Sequence, residues 1–575
     1  MQRVGARCAV CRAARFRRFV RHMSAQPPGR HVIVGRGAPI LHRPVKAHYN
    51  TQNRQMRAAM NRQTLLDRLA TTDTWDVVII GGGATGLGIA VDAAARGHKT
   101  LLLEAYDFAK GTSSRATKLV HGGVRYLAQG NISLVYEALH ERGRLQANAP
   151  HLVKVLPHVV PAYTWYDMPF YGAGLLLYSI LAGRLGFGMS RLINKREALH
   201  LAPTLTQNGL LGGVVYYDGQ FDDSRLAITL MRTAMDHGAT LINHMPVTGL
   251  LHQDGAIAGV TVNDRFSDQT YTVHAKSVVN ATGVFVDAIR SMDAPAAKPI
   301  VAPSQGIHIV VDRSFLPGDH AVMIPKTADG RVLFALPWHD CVVIGTTDTG
   351  VPQADVEPRP LAAEIEFVLS HTEKYLTRRP LPSDIRSVFA GLRPLVKKGE
   401  GATKTLSRDH TILFADSGMM TITGGKWTTY RHMAEDAVDQ LTARGLLAAK
   451  PCITKTMHLH GYSTTPDSDS MQMYGTDAAA VRELAQHNPA WAAHIHPELP
   501  YLQAEVIYAA RAELACTVED VLARRTRALL INARASVEAA PLVAALLADE
   551  LGHVQAWQDA QVAEYRALAT GYQIA

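Results

Sequence analysis

Acidic residues are missing from the first 66 positions: the first carboxylate of the chain is Asp67, after thirteen Arg and one Lys. That segment therefore carries +14 of a formal net charge of +9, which leaves −5 on residues 67–575. The pI of 9.2 thus belongs to an extension, and a nucleic-acid-binding body loses its main support. Cysteine is scarce as well, five in 575 residues (Cys8, Cys11, Cys341, Cys452 and Cys516), which argues against a disulfide framework and for a reducing compartment. Cys8 and Cys11 form a lone C-x-x-C with no second pair and no flanking βαβ pattern, so no metal or redox site is expected there. The apolar stretch FYGAGLLLYSILAG at residues 170–183 stops short of the roughly 20 residues that span a bilayer, leaving a buried helix or an interfacial element. There is no calcium loop of the EF-hand type, no internal repeat and no low-complexity linker, and no metal is expected.

What is present describes a globular chain of two or three domains, 47% hydrophobic with a mean hydropathy near zero. The Arg-rich, acid-free extension has the composition of a mitochondrial transit peptide and lacks the apolar core of a secretory signal. The alternative reading is a true start at Met56 or Met60, with the preceding residues an upstream reading of Arg-biased coding sequence; only 16 of the 59 basic residues are Lys. Residues 1–66 are accordingly expected to be a disordered extension, residues 67–445 the main body and residues 450–575 a separate helical domain. The last follows from Ala-, Leu- and Glu-rich periodicity with almost no β-branched runs, and Thr517 with Asp520 has the look of a helix N-cap.

Regular patterning begins at Trp75. Val77-Val78-Ile79-Ile80, a glycine cluster, an Ala-rich helical stretch over 86–96 and the apolar run Thr100–Leu103 spell strand, turn, helix, strand. Gly81-Gly82-Gly83-Ala84-Thr85-Gly86 fits G-x-G-x-x-G in that setting. Gly81 permits the tight turn, Gly83 lets the backbone approach a pyrophosphate, and Gly86 allows close helix-to-sheet packing, while the helix N-terminus attracts the anion. Glu104 ends the second strand, where a carboxylate accepts hydrogen bonds from ribose hydroxyls and favours FAD or NAD over a 2′-phosphorylated dinucleotide. Short β-branched runs at Val214-Val215-Tyr216, Val278-Val279 and Val342-Val343-Ile344 add further strands, so the fold class is α/β.

Later segments make the pattern specific. Thr112-Ser113-Ser114, the run from Lys118 through His121-Gly122-Gly123-Val124-Arg125-Tyr126-Leu127, Asn280-Ala281-Thr282-Gly283, Gly345-Thr346-Thr347-Asp348, Gly391-Leu392-Arg393-Pro394-Leu395, Ser407-Arg408-Asp409 and Gly424-Gly425-Lys426-Trp427-Thr428-Thr429-Tyr430-Arg431 occur in this order. Together they resemble the FAD-dependent glycerol-3-phosphate dehydrogenases, over residues 75–435, and the segments at 501–506 and 519–526 resemble that family's C-terminal cap. The resemblance implies a Rossmann-like, two-dinucleotide-binding-domain flavoprotein of D-amino-acid-oxidase type. FAD-binding segments would lie near 75–130, 210–300 and 385–440, with substrate segments of mixed sheet near 140–210 and 300–385.

It implies FAD held by Gly81, Gly83, Ala84, Thr85, Gly86, Glu104, Thr112, Ser113, Ser114, Gly122, Gly123, Ala281, Thr282, Gly283, Gly425, Lys426, Thr428 and Thr429. It implies a phosphate held by Arg125, Arg393 and Arg408 with Tyr126, guanidinium being the better planar fork for phosphate oxygens. His308 is implied as a substrate-site base and Lys426 as a cation near the flavin, so the catalytic set is His308, Lys426 and Arg393. His121 is expected to be structural. The implied reaction is oxidation of sn-glycerol 3-phosphate to dihydroxyacetone phosphate with a membrane quinone as acceptor, at a peripheral membrane surface; a homodimer is allowed and nucleic acid is not a partner. Alternatives are an oxygen-using oxidase on the same substrate and an amine or amino-acid oxidase. Lack of a calcium loop points to the cytoplasmic face of a bacterial membrane, with the mitochondrial inner membrane as the alternative if the extension is a transit peptide.

Overall fold

The computed structural model describes residues 61–128, 130–327, 330–397, 410–465 and 470–574, without the side chains of Arg125 and Ala128. The extension up to residue 60 and Arg408 lie outside the described residues. Val77–Ile80 is buried on both faces, as its unbroken β-branched sequence demands of a central parallel strand. It pairs in parallel with Thr100–Leu103 on one side and Val278–Asn280 on the other. The sheet continues through Thr240–Ile242 at one edge and Met420–Gly424 at the other, where His410–Phe414 closes it antiparallel. The helix Ala84–Ala95 covers this sheet and packs between the helices Asp223–Asp236 and Tyr430–Ala443. Tyr430 sits so close to Gly88 that a Cβ there would lie 3.0 Å from its ring.

A second, ten-stranded mixed sheet carries the middle of the chain. Its longest strands, Val301–Asp312 and Ile385–Val396, run antiparallel side by side, and Cys341–Gly345 lies on the other flank of the first. Lys154–Ala162 pairs with Gly212–Gln220, which in turn holds the two-residue strand Leu119–Val120. The three strand runs singled out by β-branching are all strands here. A small antiparallel sheet of Val247–Gln253, Ala256–Asn263 and Thr270–His274 completes the β structure.

Beyond residue 450 the described residues form helices, chiefly Gln503–Ala512, Ala533–Leu551 and Gln555–Ala569. Thr517 and Asp520 cap as their spacing predicts: Asp520 N donates to Thr517 Oγ1 (3.1 Å) and Thr517 N to Asp520 Oδ2 (3.0 Å). These helices pack into the same compact unit as the two large sheets. The cause is a set of buried ion pairs. Asp107, next to the nucleotide-binding strand, takes Arg525 Nη1 at 2.6 Å and contacts Arg524, with Asp107 and both guanidiniums at most 3% exposed. Arg527 and Lys118 share the carboxylate of Asp223 at 3.1 and 2.8 Å.

Of the stretch 170–183, residues 170–181 fall in the helix Asp167–Leu181, of which only Leu175 and Tyr178 are buried. Phe170 is 65% exposed and Ile180 58%, so the helix presents an apolar face instead of burying it. No helix among the described residues is long and apolar enough to cross a membrane.

Candidate functional site

The turn after Val77–Ile80 is built on glycine geometry. Gly81 has φ +108°, and a Cβ on Gly86 would stand 1.9 Å from the Gly81 carbonyl oxygen, so only glycine lets the helix start this close to the strand. Gly83 is the extended N-cap residue of Ala84–Ala95, and Ala84 N donates to Ser113 Oγ at 2.9 Å. Glu104 folds back on the turn: its carboxylate accepts from Gly82 N at 2.6 Å and Tyr106 N at 2.9 Å. Burial pushes this carboxyl up, and the two backbone donors pull it back. Each oxygen thereby makes one bond to backbone and keeps a lone pair for a hydroxyl.

Gly81, Gly83, Ala84, Thr85, Glu104, Thr112, Ser113, Ala281, Thr282, Gly283, Gly425 and Lys426 all line one elongated cavity that runs from this turn. Gly86, Ser114, Gly122, Gly123, Thr428 and Thr429 are not among its lining residues. Gly122 N donates to Tyr178 OH at 2.7 Å, and Tyr178 OH donates to Asp218, 2.8 Å away. Thr428 Oγ1 lies 3.1 Å from His121 N and 3.2 Å from His121 O, stitching the glycine pair to the 426–429 turn. Sequence reasoning missed other lining residues, among them Tyr106, Lys110, Val356 and Trp427. Trp427 donates its indole N–H to Ser113 O at 3.0 Å, a role that its place inside the quoted Gly-Gly-Lys-Trp motif could have suggested.

The cradle fits FAD: a glycine turn that admits no Cβ, a carboxylate with free lone pairs one strand away, and small residues along the cavity. Gly86→Ala is expected to force the helix off the turn and to cut FAD occupancy at least about tenfold, read as the absorbance near 450 nm per protein; overpacking of this kind costs about 1–3 kcal/mol.

A second cluster lies on the long strands. His308 is opposite Gly345 and Phe389, its ring stacks on Phe389 (centroids 4.9 Å apart), and its Nε2 pairs with Thr117 Oγ1 at 3.0 Å. Burial, then the charges of Lys118 and Arg393, hold His308 well below the ordinary imidazole range. Lys118, fully buried against Asp223, is itself pushed down to about 8 by burial and so keeps its charge at neutral pH. Arg393 donates to Thr346 Oγ1 at 3.0 Å and to Gln305 O at 3.4 Å, with Asp348 Oδ1 3.6 Å away. Gly306 makes room for it, since a Cβ there would lie 2.4 Å from the guanidinium. Thr117, Thr346 and Asp348 received no role from the sequence, although the last two lie in a quoted motif. Lys426 Nζ rests 4.1 Å from the centroid of the Tyr126 ring. Pro394, directly after Arg393, lines the FAD cavity and so joins the two clusters.

Comparison with known proteins agrees with this geometry. The family of FAD dependent oxidoreductases matches residues 76–431, and the C-terminal domain of alpha-glycerophosphate oxidase matches residues 420–562. The chain is 39% identical to the probable mitochondrial glycerol-3-phosphate dehydrogenase of Caenorhabditis elegans, over 91% of this chain and 78% of that protein. It is also 39% identical to the mitochondrial glycerol-3-phosphate dehydrogenase of Homo sapiens, over 87% of this chain and 73% of that one. Among solved structures, the glycerol-3-phosphate dehydrogenase of Bacillus halodurans complexed with FAD superposes with a TM-score of 0.74 at 30% identity, covering 89% of this chain and 98% of that chain. With its dinucleotide cradle and the second cluster joined at Pro394, this chain belongs to the FAD-dependent glycerol-3-phosphate dehydrogenase family.

Proposed function

We propose that the chain oxidises sn-glycerol 3-phosphate to dihydroxyacetone phosphate and delivers the electrons to a membrane quinone. The observation that carries this reading is the pairing of Arg393 and His308 on adjacent strands around Gly306, beside the FAD cavity. Arg393, already anchored by Thr346, offers its guanidinium to the phosphate, with Arg125, Arg408 and Tyr126 as its partners in that task. His308, held neutral, takes the hydroxyl proton as carbon is oxidised. Thr117 Oγ1, 3.0 Å from Nε2, orients the imidazole ring. Lys426 supplies positive charge at the cavity wall, and Thr429 Oγ1, 3.3 Å from the Lys426 carbonyl, steadies that turn. Bound FAD supplies the hydride acceptor.

The apolar face of Asp167–Leu181 supports a membrane acceptor. Trp165 (81% exposed), Phe170, Ile180, Met189 and Leu192 are all exposed, and a Cβ on Gly172 would lie 3.0 Å from Leu192, which places that side chain against the helix. Arg184, Arg191 and Lys195 follow within a few residues, a composition suited to an anionic lipid surface. The enzyme is accordingly read as a peripheral membrane protein; the mitochondrial names of its animal relatives favour the mitochondrial inner membrane over the cytoplasmic face of a bacterial one. The match of residues 420–562 to an oxidase domain supports a second reading, in which oxygen is the acceptor.

One experiment separates them. Anaerobic addition of glycerol 3-phosphate is expected to bleach the flavin band near 450 nm, and absence of bleaching overturns the substrate. Reoxidation by a quinone analogue is then expected to outpace reoxidation by oxygen; stoichiometric hydrogen peroxide in air overturns the quinone reading. The double variant Phe170→Ser, Ile180→Ser is expected to bleach normally and to lose sedimentation with anionic vesicles.

A further inference from the structure

Six side chains at and beside the FAD cavity take no part in the chemistry above: Lys110, Arg115, Glu357, Arg359, Glu519 and Tyr572. Val356 lines one wall of that cavity, and Lys110 to Ser113 line the adjoining one. Between the walls sits Glu357. Its Oε1 lies 2.5 Å from Lys110 Nζ and 2.7 Å from Arg115 Nη2, while its Oε2 accepts from Tyr572 OH at 3.0 Å. Arg115, only 7% exposed, also donates to the Val356 carbonyl at 2.8 Å and reaches Tyr572 OH at 3.2 Å. Lys110 extends the network to Glu519 at 2.5 Å. Two residues further on, Arg359 donates to Leu568 O at 3.2 Å and lies where a Cβ on Gly571 would stand.

We propose that Glu357 and Tyr572 are positioning residues that clamp these two walls together, so that the tail of the chain sets how fast FAD leaves. The last helix, Gln555–Ala569, delivers Tyr572 to the node, and every cross-link there joins segments that are distant in sequence: residues 110–115, 356–359, 519 and 568–572. Parting the 356–357 segment from the 110–115 segment breaks three charge-assisted contacts at once, and such contacts are the stronger kind in a water-poor setting. The inference rests on the FAD site alone and is independent of the substrate, so loss of either leaves the other standing.

The test uses the full-length holoprotein and two variants, Tyr572→Phe, which removes one hydroxyl, and Glu357→Gln, which removes one charge. FAD release is followed as flavin fluorescence after dilution into cofactor-free buffer, and melting temperatures are taken with and without FAD. Each variant is expected to release FAD about tenfold faster, the worth of one hydrogen bond to a charged group. The double variant should be no faster than the sum of the two effects, because both act at one node. Holoprotein melting is expected to fall by more than apoprotein melting, and the excess is the linkage signature of weakened cofactor binding. Wild-type release rates in both variants overturn the proposal. So does an equal drop in the melting of apo- and holoprotein, which marks a structural contact only.

Discussion

Substitution of His308 by glutamine is expected to slow substrate-dependent flavin bleaching by about 10²–10⁴-fold, the range over which a positioned general base contributes. FAD content should stay at the wild-type level, because His308 is not among the residues that line the FAD cavity. The pH dependence carries the sharper test. A base works in its deprotonated form, and His308 is depressed by burial and by the cations Lys118 and Arg393 that face it from neighbouring elements. The rate at saturating substrate should therefore hold steady as pH falls through about 6.5, the ordinary imidazole value, and drop only below it. Saturation matters because a phosphate monoester itself titrates near pH 6. An acid limb at 6.5 or above that survives in His308→Gln would remove the histidine from this role.

Asp107→Ala is expected to cost about 3–5 kcal/mol of stability, measured as a lower denaturant midpoint, since it takes the near carboxylate from the buried Arg525 guanidinium and one of three carboxylates from Arg524. Asp107 has no exposed side-chain surface, Arg525 none, and Arg524 only 3%. Arg525 Nη2 keeps a hydrogen bond to Glu513 O at 2.7 Å, but a carbonyl dipole does not replace a carboxylate. By contrast Asp319→Ala, which removes an exposed partner of Arg313, should shift the midpoint by less than about 0.5 kcal/mol. Equal effects of the two substitutions would show that the buried network adds nothing beyond ordinary surface pairing.

What the sequence makes legible and what it hides divides along the range of the interactions. Gly81, Gly83, Gly86 and Glu104 could be read because their roles arise within about 25 residues of one strand–turn–helix–strand unit, where spacing alone determines geometry. The β-branched runs became strands for the same local reason. The partnership of Asp107 with Arg524 and Arg525 spans more than 400 positions, and no periodicity encodes a pairing at that distance. That is why the composition of the helical segment is legible in the sequence and the ion pairs that pin it to the nucleotide-binding sheet are not. Thr428 teaches a related lesson. Its hydroxyl bridges the backbone of His121, a partner 307 positions away that its own motif does not encode. The long apolar helix at 167–181 was ambiguous in sequence because hydrophobicity reports that a face is apolar but not whether anything covers it.

The order of strands in the nucleotide-binding sheet also bears on how the protein comes into being. Val77–Ile80 is synthesised early, yet the neighbour that completes its sheet through Val278–Asn280, the strand Met420–Gly424, emerges about 350 residues later. At about 5–20 residues per second, that interval lasts roughly 20–70 s on the ribosome. From its own synthesis, about 140 residues before that of Met420, Val278–Asn280 carries an open hydrogen-bonding edge, the kind of surface that recruits other chains. Soluble yield should therefore respond to the speed of translation and to chaperone supply, and Met420–Gly424 is the strand whose arrival covers that edge.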